Sequence, residues 1–209
     1  MSPFWEKMFY IGSFLAMGSS YMSANAFGAM HRLHHFHADM ENDPHSPRKS
    51  PGLIKTIIQS RNSYYAIFCG DFVVEDKITK GLPNWKSFDS FAHNWIVRFI
   101  WIFIYVLIYI NLATEWWMFL FLPITVIMAA LQGGIINWWA HTYGYRNFEI
   151  ANDSKNILRI DLFFWGESYH NNHHKYPGKL NTAIKWFEFD LGYYAILLMS
   201  KFHIVKIRT

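Results

Sequence analysis

Two histidine triplets, His31, His34, His35 and His170, His173, His174, share the spacing HxxHH. On a helix, positions i, i+3 and i+4 fall on one face, so each triplet would set three imidazoles in a stripe about one turn long. Each imidazole carries two polar nitrogens that need partners, and a metal ion supplies them. Two converging stripes offer more nitrogens than one four-coordinate zinc would use, which implies two metals. Imidazole suits iron, zinc, copper and nickel alike, so residue type leaves that choice open. Eleven histidines in 209 residues make one chance HxxHH uncommon and a doubled one a poor fit to chance. Isolated histidines such as His37, His93 and His203 read instead as ordinary core or surface residues.

The elements that must position these stripes are apolar. The chain is 52% hydrophobic and 20% aromatic, with ten Trp and 16% charged residues, which points to a membrane as its surroundings. Residues 95–113 carry one charge, Arg98, and residues 116–139 carry none. Each run is about the length a bilayer core requires. Only Thr114 and Glu115 separate them, so the pair is expected to form a tight antiparallel transmembrane hairpin. All nineteen Lys and Arg lie at or before Arg98 or at or after Arg146. The positive-inside tendency then puts both flanks, and both histidine boxes, on the cytoplasmic side. The fold class expected is an all-α integral membrane protein: a transmembrane helical hairpin plus cytoplasmic helices carrying the histidine boxes.

Residues 4–30, apolar but rich in Gly, Ser and Ala, read as an interfacial helix running into the first box. The Pro-rich segment 41–52 reads as a loop closing that box, and residues 184–205 as a further interfacial or packing helix. The lone Cys69 excludes an intramolecular disulfide and fits a reducing compartment. The net charge of +4 flanks the apolar runs without any nucleic-acid motif, which argues for anionic lipid headgroups or the phosphates of an activated acyl donor, and against nucleic acid.

Three ordered segments carry a resemblance: 31–45 (HRLHHFHADMENDPH), 137–146 (NWWAHTYGYR) and 166–177 (GESYHNNHHKYP). They are similar to consecutive motifs of the membrane-bound fatty acid (acyl-CoA) desaturases of the stearoyl-CoA desaturase type, and the stretch Asn152 to Leu158 between the last two also fits. The resemblance implies a histidine-ligated di-iron enzyme that uses molecular oxygen and two electrons to desaturate a saturated fatty acyl thioester. It implies His31, His34, His35, His141, His170, His173 and His174 as iron ligands, with Asn137 reaching iron through water. Asn137 and His141 are spaced i, i+4, hence on one face at the end of the second apolar run. Asp39, Asp43 and Glu167 are candidates to accept imidazole N–H protons and so fix ring orientation.

The partners implied are the acyl thioester, membrane lipids, and an electron donor such as a ferredoxin or a b-type cytochrome with its reductase. The location implied is the bacterial inner membrane or the endoplasmic reticulum, with the catalytic face cytoplasmic. An unactivated methylene has no acidic hydrogen, so metal-activated oxygen rather than acid-base catalysis must remove its hydrogens. The chain departs from the family in one respect. A further HxxxxH motif expected about thirty residues before the first HxxHH would fall ahead of Met1, so residues 1–209 are expected to be a single desaturase domain, N-terminally incomplete. The alternatives are a membrane di-iron hydroxylase and an inactive truncated metal-binding membrane protein.

Overall fold

The computed structural model describes residues 1–207, and among them it contains helices, turns and three isolated bridges but no strand. Nine α-helices follow in order: α1 Pro3–Met17, α2 Ala24–His37, α3 Leu53–Cys69, α4 Asp76–Thr79, α5 Lys86–Ala92, α6 Trp95–Leu112, α7 Leu122–Thr142, α8 His170–Lys175 and α9 Leu191–Lys201.

The apolar runs form α6 and α7, with the second run beginning as a 3-10 segment, Trp116–Phe121, before Pro123 opens α7. Proline suits that position because the first turn of a helix needs no N–H from it. Both runs are long and apolar enough to cross a membrane, with mean hydropathy 2.0 over Trp95–Leu112 and 2.1 over Trp116–Thr142. No residue of α6 is buried, and Ile96, Phe99, Phe103 and Ile110 are each more than 60% exposed. A continuous apolar face of that kind belongs against lipid or another protein rather than water.

Residues 4–30 do not form one helix. The helix stops at Met17, turns through the 3-10 segment Gly18–Ser20, and restarts at Ala24. Gly18 lies at φ +52, and a Cβ there would collide with the Tyr105 hydroxyl, so both backbone and space exclude a side chain. The reversal docks on the hairpin: Ser19 Oγ donates to the Val126 carbonyl at 2.7 Å, and Arg98 donates to the carbonyls of Ser19 and Tyr21. The single charge at the start of α6 is thereby matched by fixed carbonyl dipoles. On the other side of α7, α3 approaches so closely that a Cβ on Gly134 would meet Ile57.

A buried network sets the start of α2. Tyr21 and Ser23 donate their hydroxyls to Asp89 at 2.8 Å each, and Ser23 Oγ also accepts the Ala26 N–H as the helix N-cap. The Ser23 N–H is accepted by Tyr64, whose hydroxyl donates to His93 Nε2, while His93 Nδ1 donates to the Asp89 carbonyl. Burial pushes the His93 imidazole down to about 4, consistent with this neutral, fully paired ring. Removing the carboxylate in Asp89→Ala would leave two buried hydroxyls unpaired, a loss of about 2 to 4 kcal/mol. The thermal unfolding midpoint in detergent is expected to fall accordingly; an unchanged midpoint would mean the network does not hold α2.

Candidate metal centre

The helical spacing of the first triplet is realised on α2, whereas the second triplet occupies α8, only six residues long. A helix that short has no stability of its own, and the surrounding asparagines hold it. Asn156 Oδ1 accepts the N–H groups of Asn171 and Asn172, capping the start of α8. Asn171 Nδ2 donates to the carbonyls of Phe148 and Ser154, and Asn172 Nδ2 donates to Glu188. These three asparagines are buried. The two residues between the histidines of the second box therefore anchor the helix, and the histidines are free to turn the other way.

The structure brings all seven candidate histidines together as two groups. Nε2 atoms of His31, His35 and His173 form a triangle with sides of 3.0, 2.8 and 3.2 Å. Nε2 of His34 lies 3.1 Å from His174, His174 lies 3.1 Å from His170, and His170 lies 3.1 Å from His141. The ligating atoms of each group lie within 4.8 Å of one another.

These contacts cannot all be hydrogen bonds. Each ring nitrogen offers a single in-plane site, either a proton or a lone pair. His34 Nδ1 donates to Asp43 at 2.9 Å and His141 Nδ1 donates to Asp39 at 2.9 Å, which leaves a bare lone pair on each Nε2. Two donors at 2.0 to 2.1 Å from one metal, at 90 to 110°, are separated by about 2.8 to 3.4 Å. The observed spacings fall essentially on that range. Neutral imidazoles aimed at a common point are the donor set of a transition metal.

The electrostatics agree. Burial depresses all of these groups outside α7 whose protonation is perturbed: His31 falls to about 4, helped by repulsion from His173, and His34, His35, His170, His173 and His174 are all lowered. Neutral rings keep their lone pairs for a metal. Burial works to raise Asp39, yet hydrogen bonds from His141, the Asp153 N–H and Ser46 hold it well below the usual carboxylate range. Burial raises Asp43, which nevertheless accepts from His34 and from the N–H groups of Asp39 and His45.

Glu167 is not part of this arrangement. Its side chain is exposed and no imidazole donates to it, because the turn before α8 directs Ser168 and Tyr169 inward instead. Asn137 is buried one turn before His141 and donates to the His45 carbonyl at 2.5 Å. Three contributors escaped the sequence reading. Asn152 Nδ2 lies 3.3 Å from His174 Nδ1; Arg48 pairs with Asp153 and so pins segment 152–154 to the loop after the first box; and His45 is buried, its ring edge-on to His34 at 4.4 Å, with an unpaired Nε2. The sequence signal for His45 and Asn152 was membership in the 31–45 and 152–158 segments, and Arg48 lies in the 41–52 loop; spacing alone did not separate any of them from ordinary loop residues.

The family model for fatty acid desaturases matches residues 2–203. Among curated relatives, Delta-9 desaturase-like 4 protein of Arabidopsis thaliana is 26% identical over 183 residues, covering 82% of this chain and 55% of that protein. Delta-9 acyl-lipid desaturase 1 of Arabidopsis thaliana is 26% identical, covering 81% and 53%. The sn-1 stearoyl-lipid 9-desaturase of Anabaena variabilis is 25% identical, covering 81% and 59%. The chain thus spans little more than half the length of these relatives. No solved structure matches it significantly.

If the carboxylates fix the tautomers of His34 and His141, then Asp39→Asn or Asp43→Asn should weaken metal binding by about ten- to a hundred-fold. Competition against a chromophoric chelator measures this. Affinities equal to that of the unsubstituted chain would remove the tautomer argument.

Proposed function

Because the chain belongs to the fatty acid desaturase family, we propose that it is an oxidoreductase that introduces a double bond into a saturated fatty acyl chain. The reaction consumes one oxygen molecule, two electrons and two protons, and releases two waters for the two hydrogens removed from the chain. The observation that carries this reading is the convergence of seven neutral imidazoles into two adjacent groups. Two iron ions would be held by His34, His141, His170 and His174 on one side and by His31, His35 and His173 on the other, with Asn137 placed to hold a water. When bound, the iron pair supplies the oxidising power that acid-base chemistry lacks.

The rest is the work of this chain's own residues. Asp39 and Asp43 keep Nδ1 protonated on His141 and His34, so that Nε2 stays bare. The buried asparagines hold α8 against rotation that would splay His170, His173 and His174. The hairpin of α6 and α7 crosses the bilayer, and the cations flanking it set both histidine groups on the cytoplasmic side. The lipid surroundings bring the acyl substrate to the end of α7. We read residues 1–209 as one desaturase domain.

The motif resemblance favours a thioester, whereas the relatives are named for lipid-linked acyl chains; both are presented in the test. A ferredoxin, or a b-type cytochrome with its reductase, fits the need for single electrons.

The test is conversion of a saturated acyl thioester and of a saturated acyl lipid in membranes expressing variants at matched levels with an electron donor supplied. His173→Ala is expected to abolish the new double bond. His203→Ala, at an exposed turn after α9, should retain most activity. A hydroxylated product would identify a hydroxylase instead, and retained desaturation in His173→Ala would remove the assignment of the second box.

A further inference from the structure

Acids and cations in the segment after α7 are used differently. Asp161 accepts the N–H groups of Phe163, Phe164, Gly166 and Ser168. Glu188 accepts from the Tyr145 hydroxyl and from the N–H groups of Ile184 and Lys185, and Asp190 accepts from the Thr182 hydroxyl and the Tyr193 N–H. All three carboxylates are buried. Arg159, Lys175, Lys179, Lys185, Lys201 and Lys206 stay outside, with Glu167 the one exposed acid among the described residues 157–207. The outer charge of this part of the chain is therefore almost wholly positive.

The same bonds lock loop 159–166 to the start of α9. The Tyr169 hydroxyl oxygen accepts the N–H groups of Asp161 and Phe189, and a Cβ on Gly192 would collide with the Trp165 carbonyl. The block so formed presents Phe163, Trp165, Trp186, Phe189, Tyr194 and Phe202 to the outside, with Trp186 95% exposed. Water is a poor neighbour for so many large rings on a fixed frame. Lipid is close. Tyr145, which donates to Glu188 at 2.7 Å, lies three residues beyond the end of α7 at Thr142, a reach of at most about 11 Å, and a headgroup layer is about 5 to 8 Å thick.

Large rings interleaved with Lys and Arg suit the headgroup layer of an anionic bilayer, where the rings enter the acyl boundary and the cations meet phosphate. Going beyond the desaturase reading, and resting only on the hairpin crossing a membrane, we propose that loop 159–166 and the exposed face of α9 form a foot that sits on anionic lipid of the leaflet where α7 ends. Seating reaches the second histidine box, because Glu188, which anchors the foot, also accepts from Asn172 within α8 at 2.9 Å.

The test uses the full chain in a Cys69→Ser background, reconstituted in vesicles of phosphatidylcholine alone or with phosphatidylglycerol. An environment-sensitive fluorophore is attached through Trp186→Cys, or through Phe163→Cys should the first variant label poorly. Phe103→Cys, at an exposed position of α6, supplies the reference for a lipid-facing label. On anionic vesicles the label at position 186 should emit at shorter wavelength, resist aqueous iodide and be quenched by lipid brominated near the headgroup. Lys185→Gln and Lys201→Gln should each lower its ratio of seated to free label about fivefold on anionic vesicles and leave the neutral ones unchanged. Iodide reaching position 186 equally on both vesicles would overturn the foot. So would a label shielded from iodide but not quenched by lipid, which would identify a protein partner; in either case lipid quenching at position 103 keeps the hairpin reading.

Discussion

Imidazole nitrogens held about 3 Å apart with their lone pairs turned inward repel one another, and water is not available in quantity to separate them. The groups around them hold that geometry, which a bound cation would relieve. Asp43 and Asp39 fix which nitrogen of His34 and His141 is bare; Ser46 and the Asp153 N–H then fix Asp39. Each layer of polar groups is satisfied by the next, because an unpaired buried group costs about 1 to 3 kcal/mol. Two of the buried side-chain atoms that remain unpaired, His45 Nε2 and His170 Nδ1, lie within or beside the histidine groups, where a water or an ion is the natural partner.

This requirement inverts the usual distribution of polarity. The fully buried side chains are mostly polar, among them His34, Asp43, Asn156, Asn171 and Asn172, while the largest apolar side chains of α6 face outward. A polar interior of this kind contributes little hydrophobic stabilisation, so the helices depend on specific hydrogen bonds and on an apolar medium around the hairpin. Loss of one network member is therefore felt at a distance: Asp89 touches no candidate ligand, yet through Ser23 it sets the first turn of the helix that carries three of them.

The histidine geometry was legible because helical periodicity converts spacing into direction without knowledge of the fold. His31, His34 and His35 share a face on α2 by that rule alone, and Asn137 and His141 do so on α7. The apolar runs were legible for the same reason, since length and absence of charge are one-dimensional properties. The break at Gly18 was not, because it is imposed by the Tyr105 ring from a segment nearly ninety residues away. Glu167, named as a candidate acceptor of an imidazole proton, precedes α8, which begins only at His170, and among the described residues it receives no imidazole proton. Asn152, Arg48 and His45 act from loops, where spacing carries no direction.

One helix joins the two halves of the molecule. α7 runs 21 residues, about 32 Å at 1.5 Å per residue, and ends with Asn137 and His141 in its last two turns. Its outer length is apolar, and its end is buried among carboxylates and imidazoles. The depth at which that helix sits in lipid therefore fixes the height of His141, whose Nε2 stands 3.1 Å from that of His170 at the start of α8. A free loop could offer the same imidazole, but it would hold neither the depth nor the direction. The desaturation proposed for this chain would require both, since selectivity along an unbranched hydrocarbon comes from where the oxidant is held rather than from any difference among the methylenes.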